Sequence, residues 1–209
     1  MNVAIFGASG STGQEITRQA LAKGYSVTAF VRTPGKLDIQ SEHLNIVQGD
    51  VSDIRAVEKA VRDQDAVISA LGVSQPLKND PFVVQGVGNI VEAMDARGTR
   101  RIIYLSFIGV GESRAAAGFL IRNVIARIVR NEIADHAQKE AIVRASGLDW
   151  TIIHPPKLTG GRATGKYRTG EDIASTSFLA TMSRADVADF IVQELADNSY
   201  IRKTARILY

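Results

Sequence analysis

From Val3 to Leu208, short apolar runs of strand length alternate with amphipathic segments of helix length, and no Pro/Gly/Ser-rich linker or charge block divides them. Such alternation buries its apolar surface when the strands lie parallel and the helices cover the sheet. The pattern predicts an α/β chain, a Rossmann-like doubly wound parallel sheet in three αβα layers. Strands are expected at 3–6, 25–31, 45–47, 66–71, 102–105 and 150–153, in the order 3-2-1-4-5-6. Helices are expected at 12–23, 53–61, 82–96, 115–130, 133–145 and 184–196, and 205–208 reads as a further, edge strand. Gly24 stops the first helix as a C-cap glycine does, and Asp53 is placed to cap the second. Gly86 and Gly88 weaken the third helix, and close packing against the sheet accounts for both.

A length of 209 residues with 45% apolar content suits one domain over 1–209, its substrate end built from about 107–131 and 155–180. No cysteine occurs, which excludes disulfides, thiolate metal sites and thiol catalysis. The net charge of +3 argues against a nucleic-acid partner. Histidines stand only at 43, 136 and 154, without metal-ligand spacing, so no metal is expected. The N-terminus opens into an apolar run without a basic leader, which makes the cytoplasm the expected location. The apolar stretch at 115–129 is too short to span a bilayer and carries Arg122, Asn123 and Arg127, so no membrane role is expected. A monomer or small homo-oligomer is expected.

The first strand-to-helix turn reads Gly7-Ala8-Ser9-Gly10-Ser11-Thr12-Gly13. Glycines three apart let the backbone turn tightly, approach a pyrophosphate closely and pack the helix on the sheet, while the helix N-terminus offers free N–H groups and a positive dipole. Ser9, Ser11 and Thr12 add hydroxyl donors. The reading is dinucleotide binding, against a turn kept for packing alone. At the end of the second strand, where an acidic residue would accept from a ribose 2′-OH, stands Arg32. Its guanidinium suits a 2′-phosphate, with Lys36 nearby, so NADP is favoured over NAD; a solvated strand-end arginine is the alternative. Asp50 and Val51 follow the third strand, where a carboxylate accepts from an adenine amino group and Val51 covers the ring; a plain turn aspartate is the alternative. Ala70, Leu71 and Gly72 close the fourth strand with small residues that leave room for cofactor along the carboxyl edge of the sheet.

These motifs, with the late Ser146-Gly147-Leu148-Asp149-Trp150-Thr151 and Pro155-Pro156, resemble the atypical short-chain dehydrogenase/reductases. Within them the chain is similar to the NAD(P)H-binding, NmrA-like group that includes biliverdin reductase B, a flavin reductase. The resemblance covers nearly the whole length. It implies a catalytic serine at Ser106, facing the nicotinamide, and puts the Tyr-x-x-x-Lys of ordinary members on Asp135-His136-Ala137-Gln138-Lys139. The lysine is kept as Lys139 and the tyrosine is replaced. Ser106 and Lys139 are thus implied to orient nicotinamide and acceptor, and Pro155 and Pro156 to shape the nicotinamide pocket. Where the flavin-reductase pattern has a histidine after the prolines, this chain has Lys157.

Without the phenol, the usual proton relay for a carbonyl or alcohol is missing. A flavin, quinone or similar conjugated acceptor escapes that need, because the cofactor carries the hydride chemistry. The expected function is NADPH-dependent reduction of an aromatic or conjugated small molecule. The competing class is a non-catalytic NAD(P)H sensor of the NmrA-like type. The glycine-rich 157–170 segment reads as a loop that closes over the site or is simply flexible.

Overall fold

The computed structural model describes residues 1–72, 81–110, 130–174 and 180–209. Strands β1 (Asn2–Phe6), β2 (Ser26–Val31), β3 (Leu44–Gln48), β4 (Ala66–Ser69), β5 (Arg101–Leu105) and β6 (Asp149–His154) pair in parallel in the order 3-2-1-4-5-6. Two further strands extend the same sheet beyond β6. Strand β10 (Lys203–Leu208) runs parallel to β6, and β8 (Arg168–Gly170) pairs with it antiparallel. The last strand is therefore interior rather than the expected edge strand, because residues 168–170 fold back and take up its free side. A separate parallel pair joins β7 (Lys157–Thr159) to β9 (Thr181–Ser183).

Alternation along each strand sends successive side chains to opposite faces. One face sets Val3, Ile5, Val27, Ala29, Ile68, Ile103 and Ile153 against helix α1 (Ser11–Ala22) and the late helix Arg184–Asp197. The other sets Ala4, Phe6, Phe30, Val67, Ile102, Tyr104 and Ile152 against α2 (Ile54–Val61), α3 (Pro81–Arg97) and α4 (Arg130–Ala145). The late helix is α5. Asp53 caps α2 as expected, its Oδ1 accepting from the Arg55 N–H at 3.0 Å. The fourth strand ends at Ser69, two residues early. Ala70 still donates its N–H to Phe6 O at 2.9 Å, but its carbonyl is turned toward Gly7.

Of the two α3 glycines, Gly86 is the one with a packing reason. A Cβ there would collide with the Val51 side chain, in the turn after β3, whereas nothing stands within 4 Å of one on Gly88. The expected helix at 115–130 lies outside the described residues except at its last position, as do parts of the 107–131 and 155–180 segments. No helix among the described residues is long and apolar enough to cross a membrane. The expected 157–170 loop begins and ends as strands β7 and β8, and the stretch between them is tied down: Thr164 and Gly165 donate backbone N–H groups at 2.7 and 2.9 Å to Asp186 Oδ1, in the first turn of α5.

Candidate functional site

The carboxyl ends of β1, β2, β3 and β4 open on a cavity of about 430 Å³ lined by Gly7, Ser9, Arg32, Asp50, Val51 and Leu71, with Phe30, Val31, Ser52, Phe82 and Val83 completing the wall. Six residues singled out from the sequence thus meet at one place. The glycine turn explains its floor. Gly7 has φ +83°, and a Cβ there would stand 2.6 Å from Ala70 O. A Cβ on Gly13 would run into the Gly7 carbonyl and Ala8 Cα, so α1 packs against the turn with no room for a side chain. Gly10 is the N-cap of α1, which begins at Ser11 and Thr12 with no side-chain cap and no acidic residue in its first turn. That leaves N–H groups and positive dipole for an anion, and the cradle fits a dinucleotide pyrophosphate.

Arg32 is exposed at the cavity wall. Asp50 Oδ1 accepts from the Ser52 N–H at 2.9 Å and from Ser52 Oγ at 2.7 Å. These bonds and the Arg32 charge hold its carboxyl below the usual value against a smaller opposing effect of burial. Oδ1 is thus engaged within its own turn, while Oδ2 has no partner among the described residues. Val51 is held in place by Asn89, whose Nδ2 donates to Val51 O at 2.8 Å. Ala70 and Gly72 flank Leu71 without lining the cavity. Phe82, 66% exposed at the rim, is an aromatic that the sequence reading missed because α3 periodicity alone does not mark it.

The residues assigned to the redox half do not line that cavity. Ser106 follows β5, its N–H donating to Ile153 O at 2.9 Å, and the buried Pro155 accepts from the Ile108 N–H at 2.9 Å beside the buried Pro156. Together these bonds join the carboxyl ends of β5 and β6. Below them lies a buried polar cluster. Ser106 Oγ donates to Glu140 Oε1 at 2.6 Å, and His154 Nε2 stands 2.8 Å from the same oxygen. Tyr104 Oη and Ser106 Oγ lie 3.2 and 3.4 Å from His136 Nδ1, and Lys139 is fully buried on the same helix. Lys157, in contrast, is exposed in β7.

Glu140 is the residue that sequence reasoning missed. The signal was present: His136, Lys139, Glu140 and Val143 recur at three- and four-residue spacing, which places them on one helix face, and all four are buried. Burial, followed by the Lys139 charge, pushes the His136 imidazole down to about 3, so it is neutral. Burial, followed by the Glu140 charge, raises the Tyr104 phenol well above its usual value. Burial pushes the Glu140 carboxyl up, but hydrogen bonds from His154 and Ser106, with the His154 and Arg144 charges, outweigh it and leave the carboxyl below its usual value. Asp135, where the resemblance would have a tyrosine, is also buried. No group of His, Asp or Glu among the described residues is arranged to hold a metal ion.

The family model described as NAD(P)H-binding matches residues 7–198. The uncharacterized protein YwnB of Bacillus subtilis is 26% identical, over 93% of this chain and 92% of its own. A (4-alkanoyl-5-oxo-2,5-dihydrofuran-3-yl)methyl phosphate reductase of Streptomyces griseus is 28% identical, over 73% of this chain and 46% of its own. Among solved structures, the anaerobillin reductase ChuY from Escherichia coli O157:H7 superposes with a TM-score of 0.80 at 23% identity, covering 100% of this chain and 96% of that one.

Proposed function

This chain belongs to the NAD(P)H-binding family, and from that premise we propose that it is an NADPH-dependent reductase of a flavin, quinone or similar conjugated acceptor, of the atypical short-chain dehydrogenase/reductase type. The observation that carries the reading is the Ser106–Glu140 hydrogen bond. The hydroxyl proton of Ser106 is held at 2.6 Å by an ionised carboxylate, and position 135 carries no phenol. Among the described residues, no acid of the usual kind is poised to protonate an ordinary carbonyl. An electron-poor conjugated acceptor is suited to such a site, because its reduced form is a weak base that takes its proton from solvent.

Gly7, Ser9, Gly10, Ser11, Thr12 and Gly13 hold the pyrophosphate in this reading, Arg32 the 2′-phosphate, Asp50 and Val51 the adenine. Ala70, Leu71 and Gly72 line the path toward Ser106, Lys139, Pro155 and Pro156. The bound dinucleotide supplies the hydride. The Streptomyces relative's name, a reductase acting on an unsaturated lactone, supports the choice of a conjugated acceptor. The test is NADPH oxidation by the purified protein with FMN and a quinone panel, after NADPH binding is established by fluorescence. Saturable, acceptor-dependent turnover is expected. Tight binding with no turnover for any acceptor overturns the reading in favour of a dinucleotide sensor.

A further inference from the structure

The protons in the buried cluster between β5, β6 and α4 can be assigned one by one. Tyr104 has one proton and, among the described residues, one hydrogen-bonding partner, His136 Nδ1 at 3.2 Å. His136 is neutral, so one of its ring nitrogens is a donor and the other an acceptor. The arrangement that strands no phenol proton has Tyr104 donating to Nδ1, with the ring proton on Nε2. Ser106 Oγ lies 3.4 Å from the same Nδ1, which then has neither a proton to give nor a free lone pair. The Ser106 proton therefore goes to Glu140 Oε1, at the 2.6 Å distance of a charge-assisted O–H···O⁻ bond. Glu140 is kept ready to take it by His154 Nε2 at 2.8 Å on Oε1 and by Arg144 at 3.5 Å on Oε2.

A hydroxyl carries one proton and two lone pairs. With the proton committed inward, Ser106 has only lone pairs left for anything bound at the carboxyl edge of β5. We propose that Glu140 is a specificity-determining, positioning residue that makes Ser106 a hydrogen-bond acceptor, so that the serine recognises an N–H donor in the redox half of the crevice. The donor is the carboxamide NH₂ of the nicotinamide or an imide-type N–H of the acceptor. This assignment rests on the reductase reading and inverts the polarity of a serine that would donate to a carbonyl. Donation to a carbonyl would require breaking the Glu140 bond and leaving a buried carboxylate with one partner fewer, which is unfavourable.

Two comparisons test the proposal and separate the two donors. In the first, dissociation constants are measured for NADPH and for its 3-acetylpyridine analogue, which keeps the carbonyl and replaces NH₂ by methyl. In the second, KM is measured for lumiflavin and for its N3-methyl derivative. The wild type is expected to discriminate about 5- to 20-fold in one of the two. Ser106→Ala should erase that discrimination, Ser106→Thr should keep it, and Glu140→Gln, which removes the charge holding the serine proton, should reduce it. A circular dichroism melt checks that each variant is folded, and Ser106→Thr keeps the test open if Glu140→Gln is not.

Equal values in both comparisons, or discrimination that survives in Ser106→Ala, overturn the proposal. A wild type that binds NADPH but reduces nothing overturns the reductase reading alone. The affinity comparison then decides for the serine, and equal affinities overturn its role as well. Failure to bind NADPH at all overturns both.

Discussion

A Cβ on Gly13 would overlap the Gly7 carbonyl oxygen, so the first turn of α1 and the turn after β1 share one backbone contact that no other residue type permits. Gly13→Ala is expected to push α1 off the turn and to weaken NADPH binding at least tenfold. Fluorescence titration of the dinucleotide measures it, alongside Gly88→Ala, where a Cβ meets nothing within 4 Å and binding should be unchanged.

Arg32 stands at the cavity wall with its charge close enough to act on Asp50. Arg32→Ala should weaken NADPH by about 1.5 to 3 kcal/mol, the range of a hydrogen bond to a charged group, while leaving NADH almost unaffected. Isothermal titration with both dinucleotides decides this. Equal losses would defeat the 2′-phosphate assignment.

Arg101 and Glu194 form a buried ion pair at 2.9 Å that ties β5 to α5. Glu194 Oε1 also takes the Tyr200 N–H at 2.9 Å, and Arg101 donates to Asn198 Oδ1 at 2.8 Å and Asp149 O at 2.9 Å. Glu194→Ala strands a buried guanidinium and is expected to cost about 3 to 5 kcal/mol. In a chain of this length that lowers Tm by about 6 to 20 °C, read by calorimetry.

Asp186 holds the loop between β7 and β8 to α5, accepting from Thr164, Gly165 and Ser183 and, at 2.6 Å, from the Tyr209 hydroxyl. Burial raises its carboxyl, but these hydrogen bonds outweigh it and bring the value down to about 2 from 3.8. Because the folded value is depressed, the stabilisation is complete above the unfolded value and is lost as pH falls from about 3.8 toward 2. Asp186→Asn should flatten acid unfolding over that window and loosen the loop. Urea denaturation at stepped pH reads the first effect, and hydrogen exchange at Thr164 and Gly165 reads the second.

Glu140→Gln removes the carboxylate charge from beneath Ser106 and His154 while keeping the side-chain shape. Losing the charge-assisted bonds is expected to cost about 2 kcal/mol of stability, and to weaken NADPH binding only where the nicotinamide carboxamide is the group that Ser106 accepts from. Chemical denaturation and dinucleotide titration check the two effects separately.

The layered α/β architecture was legible because it follows from local periodicity: an apolar run, a helix-length amphipathic stretch and another apolar run leave few ways to bury both faces, and the order 3-2-1-4-5-6 is the one that goes with a glycine-rich dinucleotide turn after the first strand. The nucleotide turn was legible for a related reason. Gly7, Gly10 and Gly13 are near neighbours in sequence, and their spacing alone specifies a turn that approaches its own helix. Arg32 and Asp50 were found through the strands they follow, since a strand end in a parallel sheet is also a place on its carboxyl edge.

The redox half was only partly legible. Ser106, Lys139 and the two prolines came from a resemblance, and the strand at 203–208 was misjudged because residues 168–170, far away in sequence, decide whether it has a second neighbour. Local sequence therefore determined the elements, their succession along the chain and the cradle for a dinucleotide, all of which depend on residues a few positions apart. Tertiary structure alone decided that Ser106, His136, Glu140 and His154 share one buried cluster. The polarity of a hydroxyl depends on which carboxylate the fold brings within 2.6 Å of it, and Ser106 and Glu140 are separated by 34 positions of chain.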